Sequence, residues 1–174
     1  KYDMVMGGRR QVGSTIKPFL YALAMQNGMT PCTTAPNVQR SYGNWTPRNG
    51  SKARYGQQVP LRWGLQQSNN WISAYLISLL GPSQFVNILH DFGLNNPDIE
   101  KNTSPVLCLG PSELSVGEMC SAYTTFVNHG VRCAPIFVTR IEDSHGNVVA
   151  KFQPLMNEVI SEESSFKMLD MLQA

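Results

Sequence analysis

No stretch of this sequence stays apolar for the ~20 residues that a membrane-spanning helix needs; the richest, residues 71–80, falls well short. Charge is scarce. Asp, Glu, Lys and Arg make up 15% of the 174 residues, and the formal net charge is +2 with the basic residues scattered. A nucleic-acid partner, which wants clustered Lys and Arg on one face, is excluded on that count. The chain opens on Lys1-Tyr2-Asp3 rather than on the basic start and apolar run of a secretory leader. There are three histidines, and the four cysteines (Cys32, Cys108, Cys120, Cys133) form no C-x-x-C pair, so no metal site is expected. An even cysteine count permits disulfides in an oxidising compartment without requiring them. Cys120 falls in an apolar helical stretch and reads as a buried free thiol.

What is present is a core. Apolar residues are 42% of the chain, and its length suits a single domain of the usual ~100–150 residues. A helix is expected from Ser14 to about Gln26, stopping at Asn27-Gly28. Residues 29–60, rich in Pro, Gly, Asn and Thr, read as a long surface loop that packs its own Tyr42, Trp45 and Tyr55. Helical patterns return over 61–67, 70–80, 83–92 and 115–128. Residues 136–141 and 148–152 read as two strands joined through the turn residues 143–147. A last helix starts at Ser161 with Glu162 and Glu163 in its first turn, presents Phe166, Leu169 and Leu172 as its apolar face, and runs to Ala174 without a stop signal.

A serine hydroxyl needs a nearby base to become a nucleophile near neutral pH. In Ser14-Thr15-Ile16-Lys17 the two reactive side chains are three apart, which on a helix places them on one face with Cβ atoms about 5–6 Å apart. A lysine held there and partly desolvated loses basicity until it can take the serine proton. Pro18 lacks an N–H and is tolerated only in a first turn, so Ser14 lies at the helix start, where free amides and the positive dipole end would face an oxyanion. The tetrapeptide alone is weak, because 15 serines and 6 lysines give about 0.5 matches by chance. A second match, Ser164-Ser165-Phe166-Lys167, has no helix-start proline and reads as solvated surface. Asp143-Ser144-His145 cannot form a triad, since neighbours in one turn do not converge. His90 and His129 read as residues at helix ends.

The surroundings of Ser14 decide. Arg9-Arg10-Gln11-Val12-Gly13-Ser14-Thr15-Ile16-Lys17-Pro18-Phe19 closely resembles the signature of the class A penicillin-binding proteins. Ser68-Asn69-Asn70 resembles the S-x-N motif of the same family. Trp45-Thr-Pro-Arg-Asn49, Val59-Pro-Leu-Arg-Trp-Gly-Leu65, Leu109-Gly110 and Ser121–Gly130 resemble further family segments in the expected order. The resemblance implies an α+β fold of the β-lactamase/transpeptidase type, an antiparallel sheet flanked by helices. Residues 1–174 would then be a partial domain, truncated at both ends, holding mostly the helical part and a β-hairpin.

It implies, further, a serine D,D-transpeptidase with Ser14 as nucleophile and Lys17 as general base. Ser68 would relay the proton to the leaving amine, and Asn70 would hold the substrate amide and Lys17. The implied partners are a peptidoglycan stem peptide ending in D-Ala-D-Ala, β-lactams acting on the same serine, and a glycosyltransferase domain in the parent chain. The place would be the periplasmic face of the inner membrane, and neither metal nor organic cofactor is called for. A penicillin-sensing or non-catalytic domain of the same fold is the alternative; a β-lactamase is less favoured, since no E-x-x-x-N segment follows Ser68-Asn69-Asn70. One departure stands out: the chain contains no Lys-Thr-Gly or Lys-Ser-Gly triplet. With that strand and those before Ser14 absent, the chain alone is expected to acylate slowly and to leave part of the Leu20/Leu23 face of the first helix exposed.

Overall fold

A computed structural model describes residues 2–101 and 103–173. The elements run β1 (Arg9–Gln11), a 3-10 turn (Gly13–Ile16), α1 (Lys17–Gln26), β2 (Thr34–Pro36), β3 (Gln58–Pro60), α2 (Leu61–Gln66), α3 (Asn70–Leu80), α4 (Pro82–Asp91) and α5 (Pro97–Glu100). A second 3-10 turn (Pro105–Leu109) follows, then β4 (Glu113–Ser115), α6 (Val116–Val127), β5 (Val131–Cys133), β6 (Arg140–Glu142), β7 (Val148–Lys151), β8 (Met156–Glu158) and α7 (Glu162–Leu172). Among the described residues the strands form four antiparallel two-stranded ribbons, β1 with β4, β2 with β3, β5 with β8 and β6 with β7.

Helix α1 is the centre of the molecule. Every residue from Lys17 to Met25 is buried, the behaviour of a helix apolar all round and covered on every side. Helices α2, α3, α4 and α7 and both 3-10 turns surround it. Phe19 anchors an aromatic cluster, its ring 4.9 Å from Phe92, 5.2 Å from Tyr123 and 5.6 Å from Phe126. Burial of such side chains contributes about 1.5–3 kcal/mol each. The expected exposure of Leu20 and Leu23 is therefore overturned: they are 0% and 7% exposed, in a helix packed against α2, α3, α4 and α7.

The start of the first helix also differs from expectation. Residues 13–16 form a 3-10 turn, and α-helix begins only at Lys17, with Pro18 in its first turn. The segment 29–60 is not without strand: β2 and β3 close it, pairing Thr34 with Pro60 and Pro36 with Gln58 while Ala35 and Val59 turn inward. Tyr42 packs on Trp45 as expected, whereas Tyr55 packs outside the segment, on Trp71 of α3. The hairpin is shorter than expected. Ile136–Thr139 lie outside it and a bulge interrupts pairing at Ile141/Glu142; most of its residues are exposed, so no core face extends the pairing.

Helix α7 is capped by Ser161 and packs Leu169 against the core as expected, but the rest of its inward face differs. Phe166 is 72% and Leu172 39% exposed, while Ser164, Ser165, Met168 and Met171 are buried. The small serines let α7 approach α6, where the Ser165 hydroxyl donates to the Phe126 carbonyl at 2.6 Å. Ser164 is consequently not solvated. The described helix ends at Leu172 with Gln173 as its cap, and Ala174 and Lys1, at the chain ends considered above, lie outside the described residues. All four cysteines are free; Cys120 is exposed, against expectation, because the inner face of α6 is formed by Ala122, Thr125 and Phe126. No single helix among the described residues is long and apolar enough to cross a membrane.

Candidate active site

Two turns bring the site together. The first carries Ser14. Val12 donates its N–H to the Ser112 carbonyl (3.1 Å) and Gly13 its own to the Gly110 carbonyl (3.0 Å), while the Tyr123 hydroxyl donates to the Thr15 carbonyl (2.7 Å). Gly110 is required at its position: its φ is +65°, and a Cβ there would lie 2.2 Å from the Gly13 oxygen. Held in this way, Ser14 is exposed, and its hydroxyl has no hydrogen-bond partner among the described residues.

The second turn joins α2 to α3. Asn69 donates its N–H to the Gly64 carbonyl and Ser68 its own to the Leu65 carbonyl, at 2.9 and 2.8 Å, the pair of bonds that ends a helix through a left-handed residue. That residue is Ser68, with φ +48°, at a place where glycine is the unstrained choice. Capping of α3 falls to Asn69, whose side-chain oxygen accepts from the N–H groups of Trp71 and Ile72. Asn69 also donates to buried Asn37 at 2.8 Å. Because Asn69 is the cap, the side chains of Ser68 and Asn70 on either side of it are free to face α1.

They face Lys17. Its ammonium donates to the Ser68 carbonyl at 2.6 Å, the Ser68 hydroxyl at 3.0 Å and the Asn70 side-chain oxygen at 2.6 Å. Lys17 is 1% exposed. Burial lowers its pKa from the ordinary lysine value to about 8, with Cys108 acting in the opposite sense. Cys108, buried in the second 3-10 turn, is pushed up to about 12 by the same burial and remains a thiol. Ser14, Lys17 and Ser68 line one cavity of about 370 Å³, closed on other sides by Leu65, Met171 and Leu172. An ion pair between Arg62 and Asp170 ties α2 to α7 beside it.

The structure thus gathers Ser14, Lys17, Ser68 and Asn70 at one place, although no hydrogen bond links the Ser14 hydroxyl to Lys17 among the described residues. The second S-x-x-K lies apart. The Ser164 hydroxyl accepts from Ser161 at 3.0 Å, and Lys167 pairs with Glu163. Asp143 holds the β6–β7 turn by accepting from the N–H groups of His145 and Asn147. His90 and His129 stand at helix ends beside Asp91 and Glu162. Sequence reasoning placed Asn69, Tyr123 and Gly110 in segments that resemble the family but gave none of them a role. For Asn69 a signal existed, an N-cap residue before an apolar run; the partners of Tyr123 and Gly110 are about a hundred positions away and left none.

The profile of the penicillin binding protein transpeptidase domain matches residues 3–174. Penicillin-binding protein 1A of Aquifex aeolicus is 30% identical over 100% of this chain, and that of Neisseria lactamica 32% identical over 84% of it. The crystal structure of penicillin-binding protein 1A from Haemophilus influenzae superposes with a TM-score of 0.84, at 27% identity over 98% of this chain and 30% of its own. The chain belongs to the penicillin-binding protein transpeptidase family, and its fold is that of the β-lactamase/transpeptidase type. It spans 24% and 19% of the lengths of the two curated relatives.

Proposed function

We propose that this chain carries the acylating half of a peptidoglycan D,D-transpeptidase site. Ser14 attacks the carbonyl between the terminal D-alanines of a stem peptide, the leaving D-alanine departs with a proton, and the acyl group passes from Ser14 to an amine of a neighbouring strand. The observation that carries the reading is the Lys17 cluster: a buried lysine, lowered to about 8, held by Ser68 and Asn70 beside the cavity that exposes Ser14.

The hydrogen bonds suggest the proton path. Two of the three ammonium hydrogens go to carbonyl oxygens, of Ser68 and Asn70, which can only accept. The third goes to the Ser68 hydroxyl, which can both accept and donate. When Lys17 is neutral, its lone pair takes that third direction, toward Ser68. A proton leaving Ser14 can then reach Lys17 through the Ser68 hydroxyl and return by way of Ser68 to the departing amine. At the turn the N–H groups of Gly13 and Thr15 are taken by the Gly110 and Val12 carbonyls, which leaves the Ser14 N–H as the donor toward the oxyanion. The parent protein would carry a glycosyltransferase domain and act at the periplasmic face of the inner membrane, and β-lactams would acylate the same serine.

Covalent labelling of the full-length protein by a fluorescent penicillin tests this. Ser14→Ala is expected to abolish labelling. Ser164→Ala, which alters only the first turn of α7, is expected to keep it. Labelling that survives in the Ser14 variant would remove the nucleophile from this site.

A further inference from the structure

The segment Trp45-Thr-Pro-Arg-Asn49 resembles a family stretch but has no part in the chemistry outlined above. Its three last residues each present an acceptor to the start of α3. The Pro47 carbonyl accepts from the Trp71 indole N–H at 3.1 Å, and from Gln39 at the same distance. The Arg48 carbonyl accepts from the Asn70 side-chain N–H at 2.7 Å. The Asn49 side-chain oxygen accepts from the Asn70 backbone N–H at 2.6 Å.

These bonds fix more than a helix start. The amide of Asn70 has one oxygen and one nitrogen, and its two faces are interchangeable in shape but not in function. With the nitrogen committed to Arg48, only the oxygen is left for Lys17, and a lysine ammonium can be met by nothing but an acceptor. Asn49 holds the backbone of the same residue, so that main chain and side chain of Asn70 are both tied to the 47–49 segment. The Asn49 side-chain nitrogen is buried without a hydrogen-bond partner among the described residues; the oxygen is the atom the site uses. We propose that Asn49 is a positioning residue: by holding the Asn70 backbone against residues 47–49, it keeps the Asn70 oxygen on the Lys17 ammonium.

This rests on the transpeptidase reading, in which Lys17 exchanges a proton, and the test separates the two. Among the described residues, Cys108 is the titratable group that acts electrostatically on Lys17. Arg62 pairs with Asp170, Lys167 with Glu163 and His90 with Asp91. A change in the Lys17 midpoint on altering Asn49 is therefore readable. Losing a held acceptor disfavours the ammonium, and adding a negative charge favours it.

The experiment measures the rate of acylation by a penicillin against pH for the full-length protein and its Asn49→Ala, Asn49→Asp and Ser14→Ala variants. Asn49→Ala is expected to lower the plateau on the order of tenfold and to move the midpoint down by about one pH unit. Asn49→Asp keeps an acceptor for the Asn70 N–H and loses no hydrogen bond of the replaced nitrogen. It is expected to recover most of the plateau and to move the midpoint up. A lowered plateau with an unmoved midpoint in Asn49→Ala, or an Asp variant indistinguishable from Ala, would overturn the proposal. If Asn49→Ala does not fold, Asn49→Asp decides alone: an upward midpoint supports it and an unmoved one overturns it. Acylation that persists in Ser14→Ala would instead refute the transpeptidase reading, whatever Asn49 does.

Discussion

Lys17 is almost completely buried and has a full set of three acceptors. Burial disfavours its charge and lowers its pKa to about 8, with Cys108 acting in the opposite sense. A base in that range works only in its deprotonated fraction. Acylation should accordingly rise with pH through about 8 and level off above it, a profile that stopped-flow penicillin binding can record. Lys17→Arg keeps the charge but cannot lose a proton near neutral pH, so it should be nearly as damaging as Lys17→Ala. An arginine variant acylating within a few-fold of the parent would make Lys17 an electrostatic group only. The serine–lysine pair could be singled out in the sequence only through the stretch of residues 9–19 that resembles the family, because the tetrapeptide alone is expected about 0.5 times by chance. Its surroundings were not legible: Asn49 reaches Asn70 across 21 positions and Tyr123 reaches Thr15 across 108, and no local pattern announces either bond.

Among the elements, helices longer than ten residues were readable almost to their ends, since apolar periodicity and caps such as Ser115 and Ser161 act locally. The three-residue strands were not. β1 exists because β4 lies beside it, with Arg9 opposite Ser115 and Gln11 opposite Glu113, and a pairing of that length is decided by tertiary contact rather than by propensity. The inward face of α7 was misjudged for a related reason. Phe166 looked like core, but two serines and two methionines fit closer to α6 and α1. The turn bearing Ser14 shows how far such contacts control the site. Gly110→Ala would place a Cβ against the Gly13 backbone at a left-handed position, at a cost of about 1–3 kcal/mol in strain. Its relief would shift Ser14. The variant should retain helical circular dichroism yet acylate on the order of 10²-fold more slowly; an unchanged rate would mean that the turn is held elsewhere.

At the scale of the molecule, α1 is a buried axis whose first turn adjoins the exposed Ser14. The aromatic cluster around Phe19 and the helices packed about it fix one terminus, where Ser14 emerges into the cavity beside α2 and α7. The family and its fold could be read ahead of the structure, because residues 9–19, residues 68–70 and further segments in the same order resemble it. The self-sufficiency of α1 could not, since it depends on which neighbours cover it. The most direct measurement is to map the β-lactam adduct on the full-length protein by peptide mass spectrometry. Trypsin cuts after Arg10, spares the Lys17–Pro18 bond and next cuts after Arg40, so one peptide, residues 11–40, holds Ser14. The account predicts a stoichiometric adduct on Ser14 within that peptide. An adduct on any other residue, or full acylation with residues 11–40 unmodified, would contradict it.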